Sequence, residues 1–208
     1  MIRIIPAVLV KTEKEFLEKL NKIKDLVKWA QIDIMDGKFV PEKTLNKPTL
    51  IKKFPKLNFE IHLMVKNPEK YISPWIKAGA KKIVFHIESA AKPEELIKKI
   101  KMSGAKAAIA INPETNLKKI IPLLGKVSGV MLMGNTPGKS GQKFQTKTLA
   151  RAKRLKKIKP NLKLEIDVGV NEKTAPKIIK AGILNLAAGS FIFKNKNPER
   201  AIDILKKS

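Results

Sequence analysis

A chain of 208 residues, 43% hydrophobic and 30% charged, has the length for one large core and the composition of an ordinary globular protein. Having no Cys, it excludes disulfides, thiolate nucleophiles and zinc–thiolate sites and fits a reducing compartment, so any metal must be held by O and N ligands. No run of 18 apolar residues occurs, and MIRIIPAVLVKTEKEF lacks the cleavage site of a secretory leader; the expected address is the cytoplasm, with no membrane partner.

In chain order, short β-branched runs alternate with amphipathic segments. RIIPAVLV (3–10) precedes helix-like EKEFLEKLNKIKDLVK (13–28), WAQIDIM (29–35) a short TLIKKFPK (49–56), FEIHLMV (59–65) PEKYISPWIKAG (68–79), and KKIVFHIE (81–88) KPEELIKKIKMSG (92–104). AKAAIAI (105–111) then precedes TNLKKIIPLLGK (115–126), GVMLM (129–133) KTLARAKRLKKIKP (147–160), LKLEIDV (162–168) NEKTAPKIIKAG (171–182), and ILNLAAG (183–189) the closing NPERAIDILKKS (197–208). Eight strand-then-helix units predict an α/β fold, a (β/α)₈ TIM barrel, as one domain over 1–208. A doubly wound open sheet fits less well, since no Gly-rich fingerprint follows the first strand.

The formal charge of +26 raises the question of nucleic acid. Only four of the 44 basic residues are Arg, the lysines are spread mostly within helical patterns, and aromatic residues for base stacking make up 5%. We therefore read a solvated Lys-rich exterior whose field draws in a small anionic substrate, and expect no nucleic-acid partner.

Barrel active sites lie at the C-terminal ends of the strands, so polar residues inside the strands should converge there. Strand two supplies Gln31, Asp33 and Asp36, strand three His62, strand four His86 and Glu88, strand five Asn112 and strand seven Asp167. Alternation points Gln31 and Asp33 one way and Ile32 and Ile34 the other, so Asp33, His62 and Asp167 should look into one mouth. An ionised carboxylate in an apolar strand is costly unless paired or metal-bound, which marks Asp33 and Asp167 as functional. Asp36, before Gly37, reads as a turn former, and His86 as either a hydrogen-bonded core residue or a ligand. Loop six, GNTPGKSGQKF with Gly141, suits a mobile cover, while Gly169, Gly189 and Ser190 after strands seven and eight suit a phosphate site.

The segments IDIMDGKFVP, IHLMV followed by NP, AGAKKIVFHIE, AINPET, PGKSGQKF, EIDVGVN and AAGSFIF together resemble the ribulose-phosphate 3-epimerase family. The resemblance implies a (β/α)₈ barrel that inverts C3 of a small phosphorylated ketose through an enediolate, with Asp33 and Asp167 as the catalytic acid and base. It implies a divalent metal on Asp33, His62 and Asp167, substrate contacts from His62, Met35 and Met64, and a possible homo-oligomer. The metal's fourth ligand, a His in the family, falls on Gln31, whose amide oxygen binds transition metals more weakly. The cofactor is thus expected to be Zn, Mn, Mg or Fe with the balance moved to a harder metal, or none. Further departures are Pro6-Ala7 for Pro-Ser, Lys139 and Ser140 in the lid, and Val168 within Asp-Gly-Gly. The Asp-x-Lys-x-x-Asp motif of related decarboxylase and hexulose-phosphate synthase barrels is broken by Met35. The alternative reading is a diverged sugar-phosphate-binding barrel with altered or lost catalysis.

Overall fold

The computed structural model describes residues 2–138 and 141–208. All eight expected strands form: β1 (Arg3–Val8), β2 (Trp29–Met35), β3 (Asn58–Met64), β4 (Lys82–His86), β5 (Lys106–Ile111), β6 (Gly129–Met133), β7 (Leu164–Asp167) and β8 (Asn185–Ala188). Each pairs in parallel with its neighbours in sequence, and β1 closes on β8 to complete the barrel. Around it lie α1 (Glu13–Ile23), α2 (Glu69–Ala78), α3 (Pro93–Met102), α4 (Lys147–Ile158), α5 (Ala175–Lys180), a short α6 (Ser190–Phe193) and α7 (Pro198–Lys206). None of the helices among the described residues is long and apolar enough to cross a membrane.

The period of two in the strands divides the buried residues into two sets. Ile32, Ile34, Ile61, Leu63, Ile83, Phe85 and Ile109 face outward into the large core beneath the helices. Val84, Ala108, Ala110, Met131 and Met133 make a separate cluster inside the barrel. The helices supply the outer layer through apolar stripes such as Phe16, Leu20 and Ile23 of α1. That helix starts on a capping box, with the Thr12 hydroxyl accepting from Glu15 N–H at 3.2 Å and the Glu15 carboxylate accepting from Thr12 N–H at 3.4 Å.

Two of the expected helices are corrected. TNLKKIIPLLGK forms two single 3₁₀ turns, Leu117–Lys119 and Ile121–Leu123. Pro122 has no N–H to give the carbonyl four residues back and crowds it, which favours a break there; α2 carries Pro74 in its interior without one, so the proline is a bias and not a prohibition. TLIKKFPK is likewise a 3₁₀ helix, Pro48–Lys53, stopped where Pro55 keeps Phe54 out of the α region. In NEKTAPKIIKAG the helix begins only at Ala175, because the Asn171 side chain accepts from Lys173 and Thr174 N–H and holds a turn there.

At the N-terminal end of the barrel Lys82 donates to Glu60 at 2.8 Å and to Glu165 at 2.5 Å, both carboxylates being buried. Burial alone would favour the neutral amine, but the contacts with Glu165 and Glu60 reverse this and hold Lys82 charged well above its ordinary range. Lys82→Met would leave two buried carboxylates without their cation. We expect a loss of about 3–5 kcal/mol in urea unfolding; a loss under ~1 kcal/mol would mean that the cluster is not a structural tie.

Candidate active site

Strand register brings the chemistry together. Asp33 of β2 sits beside His62 of β3, and Asp167 of β7 beside Met133 of β6, all with inward-facing side chains at the C-terminal half of the barrel. The Gln31 amide N–H₂ donates to Asp33 Oδ1 at 2.8 Å and to Asp167 Oδ2 at 2.9 Å, tying strands two and seven across the interior. His62 Nδ1 lies 3.2 Å from the same two carboxylate oxygens. Behind it, His62 Nε2 meets His86 Nε2 at 2.9 Å, and His86 Nδ1 meets Glu88 Oε2 at 3.2 Å. Glu88 Oε1 closes the chain by accepting from Asn112 N–H at 2.8 Å and from the Thr115 hydroxyl.

The protonation states follow from these partners. Burial disfavours a charged His62, but hydrogen bonds and charge from Asp167 and Asp33 outweigh it and push the ring up to about 10. An imidazolium donates from both nitrogens, Nδ1 to the carboxylates and Nε2 to His86. His86, driven down by burial, is the neutral acceptor and donates its own Nδ1–H to Glu88. The two aspartates are driven apart. Burial raises Asp33 despite the His62 contact, whereas Asp167, equally buried, is held below its usual range by His62, Gln31 and the Val168 N–H at 2.7 Å.

The two carboxylates open onto a cavity of about 50 Å³ that is lined by Asp33, Met35, Met64, Gly141, Asp167, Gly169, Gly189 and Ser190. These expected residues are thus assembled from six loops and strand ends. His62 and Gln31 are fully buried behind the carboxylates and do not line the cavity, so contact with substrate through His62 is not what the geometry offers. Asp36 is a turn former: its carboxylate accepts from Lys38, Phe39 and Lys66 N–H at 2.8, 3.0 and 2.9 Å and ties the β2 loop to the β3 loop. Lys139 and Ser140 of the loop-six cover lie outside the described residues.

Some positioning residues gave little sign in sequence. Thr44 donates to the Asp33 carbonyl at 2.8 Å and accepts from Met35 N–H at 2.9 Å, which fixes the end of β2. Thr115, two residues after Asn112-Pro113, completes the Glu88 contacts. Gly134 was legible only as a glycine ending a strand; a Cβ there would stand 2.1 Å from the Val168 carbonyl oxygen.

Asp33, His62 and Asp167 each offer a ligand atom, and these atoms all lie within 4.8 Å of one another. The Gln31 Oε1 is buried with no hydrogen-bond partner. Two carboxylate oxygens and one imidazole nitrogen suit a divalent cation, and the Gln31 oxygen would join them only with its amide turned over, since the amide nitrogen now faces the carboxylates. The His62 N–H directed at His86 is the outer hydrogen bond that a ligating histidine ordinarily makes.

Glu88 is held down to about 2, since contacts with His86, Thr115 and Asn112 outweigh its partial burial. A carboxyl lowered from 4.5 contributes stability that is full above that value and is lost as pH falls toward about 2. Glu88→Gln should therefore cost on the order of 3 kcal/mol at pH 6. The gap from wild type, read by urea unfolding, should shrink at pH 3; a gap independent of pH would assign the loss to packing.

A family model described as "Ribulose-phosphate 3 epimerase family" matches residues 3–193. The ribulose-phosphate 3-epimerase of Bacillus subtilis (strain 168) is 34% identical, with all of both chains covered. The enzyme of that name from Aquifex aeolicus (strain VF5) is 38% identical over 84% of this chain and 81% of its own. The cytoplasmic isoform from Oryza sativa subsp. japonica is 37% identical over 86% and 82%. Among solved structures, 3-hexulose-6-phosphate synthase from Salmonella typhimurium superposes with a TM-score of 0.74 at 14% identity, covering 99% of this chain and 97% of that one, a likeness of fold.

Proposed function

Because this chain belongs to the ribulose-phosphate 3-epimerase family, we propose that Asp33 and Asp167 carry the protons that invert C3 of D-ribulose 5-phosphate to D-xylulose 5-phosphate. The observation that carries the assignment of roles is the buried pair itself. Two carboxylates share one imidazole at 3.2 Å each and have their proton affinities driven in opposite directions. Such a pair holds an acid and a base ready in one site.

Inversion needs a proton removed from one face of the carbon and another delivered to the opposite face. Asp167, ionised and held by three donors, suits removal; Asp33, with its raised proton affinity, suits delivery, and the roles exchange in the reverse direction. Gln31, bonded to both, keeps the carboxylates at a fixed separation during the exchange. Met35, Met64 and Met133 give the reacting carbon an apolar surround that keeps water from the charge developing on the adjacent carbonyl oxygen. Gly169, Gly189 and Ser190, on the loops after β7 and β8, are the candidates for receiving the phosphate.

Asp33, His62 and Asp167 are the residues that would hold a divalent cation, joined by the Gln31 amide oxygen once its amide turns over and releases the two carboxylates. The cation would supply Lewis-acid stabilisation to the oxygen that gains charge. Taking His62 Nδ1 as a ligand would displace its proton, so cation binding should release protons. With an amide oxygen in the set, Mn or Mg should be favoured relative to a site with a second imidazole. Gln31→His should tighten zinc binding roughly tenfold or more in calorimetry; unchanged zinc affinity would place Gln31 outside the ligand set.

The reaction is tested by NMR in D₂O with D-ribulose 5-phosphate, following loss of the C3 proton signal and appearance of D-xylulose 5-phosphate. Asp33→Asn and Asp167→Asn should each lower turnover by ~10²-fold or more. Retained turnover in both variants would remove the pair from the mechanism.

A further inference from the structure

The geometry points to Val168 as the residue that sets how long a sugar phosphate the chamber accepts, an assignment that rests on the epimerase reading above. Among the described residues Val168 is the only non-glycine with positive φ, at 74°. A β-branched residue pays for that conformation, and strain of this kind persists only where the surroundings impose it.

The surroundings here are specific. Val168 N–H is turned back onto Asp167 Oδ1 at 2.7 Å, and the Asp167 carbonyl accepts from Gly134 N–H at 2.6 Å. The Val168 carbonyl is packed against Gly134 so closely that a Cβ on Gly134 would lie 2.1 Å from it. A glycine at 168 would satisfy all of these backbone contacts without strain, as Gly169 does at φ 79°. What the strain holds in place is therefore the isopropyl group, which packs on the inner cluster that contains Met133 and lines the cavity.

Its place on the wall gives that group a consequence. Val168 stands in the chain between Asp167, which handles the C3 proton, and Gly169, and all three line the same cavity as Gly189 and Ser190 at the end of β8. The side chain thus narrows the path between the reacting carbon and the phosphate. A ketohexose 6-phosphate carries one more carbon along that path than a ketopentose 5-phosphate, and Val168 excludes it by the space that carbon would need. One extra carbon against a packed wall is worth roughly 10–200-fold in discrimination.

The test is kcat/KM for D-ribulose 5-phosphate and D-allulose 6-phosphate with wild type, Val168→Gly and Val168→Ala. The preference for the pentulose ester should fall roughly tenfold or more in Val168→Gly and by a smaller factor in Val168→Ala. Tm should rise by ~2–4 °C in Val168→Gly alone, because alanine keeps the strained backbone. A preference within twofold of wild type in both variants overturns the assignment. Should wild type turn over neither ester, the epimerase reading fails by itself. Calorimetric affinities of the two esters for the three proteins then decide on Val168, and an unchanged ratio of affinities overturns it.

Discussion

The site depends on a single compensated burial: an imidazolium and two carboxylates removed from water at the upper end of a barrel. Each charge alone would be expensive to bury, and the His62 contacts with Asp33 and Asp167 offset the cost only while all three remain together. The group is therefore an all-or-none unit. Its integrity needs β2, β3 and β7 in register at once, and the Gln31 amide spans from the first of these strands to the last. The same arrangement drives the two proton affinities apart, raising that of Asp33 and lowering that of Asp167.

The barrel interior is layered to suit this. Below the site lies the apolar plug of Val84, Ala108 and Met131, and below that the Lys82 cluster with Glu60 and Glu165. The plug separates two charged groups that would otherwise perturb one another through a medium of low polarity. On the far side of His62, the contacts through His86 to Glu88 anchor the imidazole from behind. The ring is fixed at both nitrogens, which leaves the carboxylates as the groups that face the cavity.

Much of this was legible in sequence for a simple physical reason. A closed parallel barrel needs eight β-branched runs at regular spacing, and a carboxylate in such a run stands out because burial makes it costly. Asp33 and Asp167 stand out on that ground alone, apart from any resemblance to a family. What escaped was whatever depends on three-dimensional partners. His62 reads as a residue of the mouth, yet it is wholly buried behind the aspartates. Lys82, Glu60 and Glu165 lie on three different strands, and only closure of the barrel makes them a cluster. Pro122 stands in an apolar stretch of helical appearance and begins a new 3₁₀ turn, whereas Pro74 sits inside α2, so a proline in a periodic stretch does not by itself announce a break. Val168 is the sharpest case, because local preference for valine points to extended backbone and the surrounding contacts impose the opposite.

Closure of the sheet also bears on how the molecule is made. Residues 3–6 of β1 find their partners in residues 185–188 of β8, nearly the full length of the sequence away. Until the last strand has emerged during synthesis, the edge of β1 that faces β8 has no native partner. An unpaired parallel edge of that apolar character is a template for pairing with other chains. The ladder that closes the barrel thus joins the most distant parts of the sequence, and its formation is what removes the open edge on which misassembly could start.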